Sequence, residues 1–196
     1  DTEGLSTTIA AQVDGFDPSL SLSSKETRKT DLFVQYSVEV ARQAMDHAGL
    51  EVSEDQAHRC GCAFGAGIGG LQWIENTHDI MVEKGPRRVS PFFIPGAIIN
   101  MAPGMIAIKH HLKGPIISGV TACATGVHNI GLAARMIAYG DADMMLAGGV
   151  EALNTPLTIA GFSSAKALSK RNEDPSAASR PFDRDRDGFV AGEGAA

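Results

Sequence analysis

One cysteine in this sequence stands where a thiol could act as a nucleophile. In the run Gly114-Pro-Ile-Ile-Ser-Gly-Val-Thr-Ala-Cys-Ala-Thr-Gly-Val-His-Asn-Ile-Gly131, a short apolar strand leads into a turn of small residues around Cys123. Val127, Ile130, Ala134 and Ile137 then recur at helical spacing and give the following helix one apolar face. Cys123 therefore falls at a strand-to-helix junction, where unsatisfied backbone N–H groups and aligned peptide dipoles favour negative charge. The thiolate is the nucleophilic form of cysteine, and the same N–H groups could hold the oxyanion formed when a thioester carbonyl is attacked. The other reading of a cysteine in such a run is a buried small hydrophobe. Ala122, Ala124 and Gly126 leave the sulfur approachable and favour the reactive reading.

A cysteine nucleophile ordinarily works with a histidine. The six are His47, His58, His78, His110, His111 and His128. His128 lies five residues after Cys123, about a turn and a half along the same helix, and is expected to point away from the sulfur. His110 and His111 end a helix, where positive charge is favourable. None makes a convincing partner, so the chemistry is expected to be incomplete within these residues.

Three further patterns carry chemistry elsewhere and are weaker here. Gly65-Ala-Gly67-Ile-Gly-Gly70 satisfies the dinucleotide-binding spacing between a strand and a helix. The helix that follows runs into a proline-rich basic loop, with no second strand ending in an acid. A tight packing turn, close to the Cys123 site and carrying Ile68 as its one bulky side chain, is the stronger reading. Asp183-Arg-Asp185-Arg-Asp187-Gly188 copies the first half of a calcium loop, but Gly194 occupies the position that needs a bidentate glutamate. A salt-bridged turn is expected there. Cys60 and Cys62 alternate on a strand without a second ligand pair, and read as buried strand cysteines. No metal site is expected.

Around these residues the elements are legible. Asp31 caps a helix through about Ala48, ended by Gly49. Cys60 to Phe64 reads as a strand, Leu71 to about Val82 as a helix, and 85–91 as a basic loop broken by prolines. A helix over about 98–111, bent near Pro103, precedes the strand before Cys123. The helix after it runs to Tyr139, and an apolar strand spans 143–149. Residues 1–24 read as an irregular surface arm and 151–180 as short helical and loop pieces. Apolar strands separated by helices give an α/β layer arrangement with a parallel or mixed sheet.

Composition narrows the class. The chain has 196 residues, 43% of them hydrophobic and 20% charged, enough to bury a proper core. No run approaches the roughly 18 apolar residues of a membrane span, and three cysteines make no disulfide framework, so a cytoplasmic protein is expected. The net charge of −6 opposes bulk binding to nucleic acid or anionic membrane. Lys25, Arg28 and Lys29, then Arg87 and Arg88, then Lys166, Lys170 and Arg171 form local basic groups that would suit an anionic partner if folding gathers them. The start lacks an initiator methionine and the end, Gly192-Glu-Gly-Ala-Ala196, reads as the opening of another strand, so an excerpt of a longer polypeptide is expected.

With these motifs in place, the chain resembles the β-ketoacyl-[acyl-carrier-protein] synthases, most closely the elongating synthases II. The resemblance rests on Thr-Ala-Cys-Ala-Thr-Gly-Val-His-Asn-Ile-Gly (121–131), Ala-Tyr-Gly-Asp-Ala-Asp-Met-Met-Leu-Ala-Gly-Gly (138–149), Gly-Ala-Gly-Ile-Gly-Gly-Leu (65–71), Gly-Pro-Arg-Arg-Val-Ser-Pro-Phe-Phe (85–93) and Ser-Arg-Pro-Phe-Asp-Arg-Asp-Arg-Asp-Gly-Phe-Val (179–190). It implies a thiolase-like layered α-β-α-β-α fold in a homodimer. Residues 1–196 would supply mainly the first half, without its opening strand or the C-terminal half. It implies acyl transfer from acyl carrier protein to Cys123, then decarboxylative condensation with malonyl-carrier protein to a 3-oxoacyl product. No cofactor is implied beyond the carrier's own phosphopantetheine. Two histidines that assist in the family have no counterpart here. Ile68, Leu71, Phe93, Thr158 and Phe162 match its acyl pocket, with Phe93 reaching across the dimer. Lys25, Arg28, Lys29, Arg87, Arg88 and Lys166 match its carrier-protein surface. Ala124 stands where a hydroxyl residue is common and Thr158 where glycine is frequent, the latter implying a narrower pocket. The rivals are a CoA-dependent thiolase-fold acyltransferase, which the basic residues oppose, and a dinucleotide-binding module built on 65–70. A non-catalytic partner subunit of the polyketide kind is disfavoured because such subunits typically lack the cysteine.

Overall fold

The computed structural model describes residues 3–196, which group into two compact units. The larger comprises residues 16–152 with 194–196, and the smaller comprises the residues up to 15 with 153–193.

The larger unit is built on a four-stranded mixed sheet in the order β2-β1-β3-β4. Its strands are β1 (Cys60–Ala66), β2 (Ile116–Ile117), β3 (Met144–Glu151) and β4 (Gly194–Ala195). β1 pairs in parallel with β3 from Cys60↔Met144 to Ala66↔Val150 and with β2 through Cys62↔Ile116, while β4 pairs antiparallel with β3. β1 is buried along its whole length, as expected of a central strand covered on both faces.

The helices of this unit are α1 (Ser24–Thr27), α2 (Leu32–Ala48), α3 (Leu71–Lys84), α4 (Phe93–Ala97), α5 (Met101–Lys109) and α6 (Thr125–Ala138). α2 begins and ends as its sequence predicts. Asp31 Oδ1 accepts the Phe33 N–H (3.1 Å), and Gly49 closes the helix at φ 62°, a conformation glycine adopts without the Cβ penalty. Its inner face puts Phe33, Val34 and Tyr36 into one core with Cys62, Phe64, Ile106, Leu112 and Val150. Asp31 is itself buried. Its other carboxylate oxygen accepts the Trp73 N–H of α3 (2.8 Å), and its own N–H donates to the Gly96 carbonyl of α4 (3.4 Å). One residue, through its side chain and its backbone N–H, thus ties three helices together.

Two details differ from the sequence reading. The helix expected over 98–111 is only Met101–Lys109, α5; the short α4 precedes it, and the break between the two falls at 98–100, before Pro103. Pro103 instead occupies the first turn of α5, where its missing N–H costs nothing. The apolar stripe of α6 is also not the face that meets the sheet. Val127 and Ile130 are exposed, whereas Thr125, Asn129 and Ala133 are buried. The cause is close approach: a β-carbon on Gly149 would stand 2.9 Å from the Gly126 Cα, so only small or snugly bonded side chains fit between α6 and the strands.

In the smaller unit, Thr155 caps α7 (Pro156–Ser164), its Oγ1 accepting the Thr158 N–H (3.2 Å). Leu153, Leu168 and Ala191 form its core, with Ile159 and Phe162 against them. The N-terminal arm is more than surface. The Thr7 side chain is buried and donates to the Ser169 carbonyl (3.0 Å), and Ala11 bridges Gly192. Residues 1–2 of that arm lie outside the described residues. The Asp183–Gly188 segment is the expected bonded turn. Asp183 accepts the Asp185 N–H (2.7 Å), Arg184 pairs with Asp185 (3.2 Å), and Asp187 accepts from the Ser169 hydroxyl (2.7 Å) and the Lys170 N–H (3.0 Å). No helix among the described residues is long and apolar enough to cross a membrane.

Two paired carboxylates give the larger unit an acid-sensitive stability. Lys109 (2.8 Å) and Ser23 hold Glu26 down to about 2, and Arg42 (2.7 Å) holds Glu39 to about 2. Both groups ionise more readily folded than unfolded, so their stabilisation is present above the ordinary glutamate value of 4.5 and is lost as pH falls towards 2. The urea midpoint is expected to hold steady above about pH 5 and to fall through that window. The Glu26→Gln, Glu39→Gln double variant is expected to show a shallower fall. An unchanged slope in the double variant would assign the acid sensitivity to other carboxylates.

Candidate active site

The chain leaves the sheet at the end of β2, passes through residues 118–121, makes a 3-10 turn over Ala122–Ala124 and enters α6 without a break. Ala122 adopts φ 51°, a left-handed conformation that costs a non-glycine residue on the order of 1–3 kcal/mol and persists only where its surroundings enforce it. The enforcement is visible. The Thr121 N–H donates to Thr125 Oγ1 (2.9 Å), and the Ala124 N–H donates to the Thr121 carbonyl (3.1 Å). The fully buried Asn129 accepts the Gly119 N–H (3.0 Å) and donates Nδ2 to the carbonyls of Gly119 (3.2 Å) and Thr125 (3.0 Å). The turn is a fastened elbow, and Cys123 stands on it.

Cys123 is exposed, whereas Cys60 and Cys62 are buried. Burial pushes the Cys62 thiol up to about 12 and makes it inert. The bond from the Thr125 N–H returns to the Ala122 carbonyl, so the N–H of Cys123 lies between two turn bonds at the start of α6. The geometry suits attack by an approachable sulfur with helix-end amides beside it. His128 turns back to the Thr121 hydroxyl, with Nδ1 2.8 Å from Oγ1.

The glycine turn after β1 packs directly on this elbow. A β-carbon on Gly67 would come within 3.2 Å of the Ala122 Cα and 2.9 Å of Glu151 Oε1. That carboxylate oxygen, at the C-terminal end of β3, accepts the N–H groups of both Gly67 and Ile68, the latter at 2.9 Å. A dinucleotide phosphate would need those amides, and Glu151 already occupies them, which removes the physical basis for a dinucleotide site on this turn. Burial pushes the Glu151 carboxyl above its ordinary value, against the two amide bonds that pull it back. Oε2 is buried with no hydrogen-bond partner among the described residues. Glu151 and Asn129 are the site residues that sequence reasoning missed. The available signal for the first was a lone acid ending an otherwise apolar strand.

The other expected site residues divide between the units. In the larger unit, Ile68 is 39% exposed on the glycine turn, Leu71 opens α3 and Phe93 opens α4. In the smaller, Phe162 packs edge-on against Phe189 (5.2 Å). Thr158 is buried, and its hydroxyl engages Thr155 Oγ1 (3.1 Å) in the cap of α7. Lys25 and Arg28 are exposed on and beside α1, and Arg87 and Arg88 on a 3-10 turn over Pro86–Arg88. Lys29 Nζ lies 4.0 Å above the Phe92 ring, a cation–π contact. Lys166 is exposed after α7. No group of three or more His, Cys, Asp or Glu able to hold a metal ion occurs among the described residues.

The family model described as "Beta-ketoacyl synthase, N-terminal domain" matches residues 2–196. The chain belongs to the β-ketoacyl synthase family. It is 60% identical over its whole length to a 3-oxoacyl-[acyl-carrier-protein] synthase 2 of Coxiella burnetii and 57% identical to that of Vibrio cholerae, covering 47% of each. It thus spans about half the length of the curated relatives it matches. Among solved structures, a β-ketoacyl synthase from Burkholderia phymatum superposes with a TM-score of 0.87 at 34% identity, covering 98% of this chain and 47% of that one. A second is described as a type II PKS acyl-carrier protein in complex with its ketosynthase bound to the hexaketide. It gives a TM-score of 0.84 at 30% identity, with 99% and 47% covered. The fold is the thiolase-like α/β arrangement of the ketosynthases.

Proposed function

We propose that this chain carries the acyl-accepting site of a 3-oxoacyl-[acyl-carrier-protein] synthase of fatty acid elongation, with Cys123 as the nucleophile. The Cys123 thiolate attacks the acyl carbonyl of an acyl-carrier-protein thioester. The carrier's phosphopantetheine thiolate leaves, and the acyl group remains on Sγ. Malonyl-carrier protein then loses CO2, and its carbanion attacks the Cys123 thioester. The Cys123 thiolate departs as a 3-oxoacyl-carrier protein forms. The N–H of Cys123 serves as one oxyanion donor. The observation that carries this reading is an exposed cysteine on a strained, fastened elbow at the start of α6, in a β-ketoacyl synthase chain.

By the family match, Ile68, Leu71 and Phe93 of the larger unit, and Thr158 and Phe162 of the smaller, are each assigned to acyl-group binding in this reading. Lys25, Arg28, Lys29, Arg87, Arg88 and Lys166 receive the acidic carrier protein, with the enzyme a cytoplasmic homodimer. Support for the carrier comes from the solved ketosynthase complex with an acyl-carrier protein and from the exposure of Lys25, Arg28, Arg87, Arg88 and Lys166. The test is mass spectrometry of the full-length protein after incubation with an acyl thioester. The expected result is one acyl group on the peptide containing Cys123. A folded protein with that peptide unmodified would overturn the reading.

A further inference from the structure

We propose that Glu151 is a positioning residue, whose carboxylate holds the Gly67–Ile68 turn against the Cys123 elbow and so sets both the presentation of the sulfur and the placement of the Ile68 side chain. Three observations carry this. One oxygen, Oε1, accepts two consecutive backbone N–H groups, from Gly67 and Ile68, an arrangement that fixes the orientation of both peptide planes. The turn so held lies too close to Ala122 to admit a side chain between them, since a β-carbon on Gly67 would stand 3.2 Å from the Ala122 Cα and 3.3 Å from its carbonyl carbon. Carboxylate, glycine turn and elbow therefore stack with only a bare glycine fitting between Glu151 and Ala122, and Cys123 is the next residue. The anchor is also firm at its base, because Glu151 pairs with Gly194 of β4 through its backbone and follows seven residues of β3.

A carboxyl buried at this cost, with Oε2 left without a partner among the described residues, is not explained by stability. An apolar residue of the same length would fill the space without the desolvation penalty. What the apolar residue would lack is an acceptor for the two amides. Without it the turn would relax away from Glu151 to find other partners, carrying Ile68 with it and releasing the pressure on Ala122. A displacement near 1 Å at such a site costs about 100-fold in rate.

This inference rests on the reading of Cys123 as the acyl acceptor and of Ile68 as a pocket residue, and its test separates the two. In the full-length protein, Glu151→Gln keeps the acceptor oxygen, while Glu151→Met keeps the length and removes it. Acylation of Cys123 is followed with butyryl- and dodecanoyl-pantetheine, and alkylation of Cys123 with iodoacetamide. Glu151→Gln is expected to stay within about threefold of wild type on all three reagents, and Glu151→Met to slow acylation by about 10- to 100-fold. Glu151→Met is also expected to shift the dodecanoyl-to-butyryl ratio by about fivefold or more, which a general loss of stability would not do. Equal behaviour of the two variants, or an unchanged ratio in Glu151→Met, would overturn the inference. Should Glu151→Met fail to fold, hydrogen exchange in the wild type decides. The Gly67 and Ile68 amides should be as protected as those of β1, and rapid exchange at both would overturn the role. Wild-type protein that alkylates with iodoacetamide but accepts no acyl group would refute the acyl-transfer reading, while the alkylation rates and exchange would still judge Glu151.

Discussion

Under the proposed function, Cys123→Ala in the full-length protein is expected to abolish condensation, with kcat falling by about a thousandfold or more, and to leave the fold intact. The size of the loss follows from the chemistry. No covalent acyl intermediate can form on a methyl group, and neither of the other cysteines can substitute. Cys60 and Cys62 are buried in β1, and burial holds the Cys62 thiol protonated with a value near 12. The preservation of stability follows from the geometry. The Cys123 side chain is exposed, so its removal creates no cavity and should move the unfolding free energy by less than about 0.5 kcal/mol. Cys123→Ser is the sharper comparison, because it keeps shape and polarity but replaces the nucleophile with a hydroxyl that no base among the described contacts activates. His128 is engaged by Thr121, two residues before Cys123. The serine variant is therefore expected to resemble the alanine variant in product formation, while circular dichroism and the thermal midpoint match wild type. Retention of more than about a tenth of wild-type condensation by either variant would remove Cys123 from the chemistry.

Much of this architecture was legible because local chemistry and global fold agree. Asp31 and Gly49 mark the ends of α2 by capping alone, and both act as caps in the structure. The Cys123 junction was readable from an apolar run, small residues and a helical period. The period located α6 correctly but not its orientation. Hydrophobic spacing identifies a face, and here the face against the sheet is chosen by the close approach at Gly126 and Gly149, which admits Thr125, Asn129 and Ala133 instead. The strain at Ala122 was hidden for a related reason. Alanine carries no turn signal, and its φ of 51° is imposed by Asn129, Thr125 and the glycine turn. Glu151 could not be linked to Gly67 from the sequence, since 84 residues separate them and only the parallel pairing of β1 with β3 brings their ends level. What stayed illegible is thus long-range: which strand end meets which turn.

Gly65→Ala tests whether the elbow is built by that close packing. Gly65 lies in β1, paired with Gly149 of β3. A β-carbon there would overlap the carbonyl oxygen of Gly119 and stand 3.0 Å from Asn129 Nδ2 and 3.1 Å from Thr125 Cγ2. The obstructing atoms are backbone and a buried amide already committed to three hydrogen bonds, so none can swing aside as a flexible side chain would. Relief requires the loop at 118–121 to lift from the sheet, which breaks the Asn129 clamp and displaces Ala122 and Cys123 together. Overpacking of this kind costs about 1–3 kcal/mol, and an unsatisfied buried amide adds about 1–3 kcal/mol. The variant is therefore expected to lose several kcal/mol of stability and, where still folded, about 100-fold in the rate of Cys123 acylation. Gly104→Ala supplies the contrast. Gly104 sits in α5 with nothing within 4 Å of its would-be β-carbon, and alanine there should raise stability by about 0.5–1 kcal/mol with acylation unchanged. If Gly65→Ala behaved like Gly104→Ala in urea melts and in acylation, the elbow would owe its shape to something other than the bare backbone of β1 beneath it.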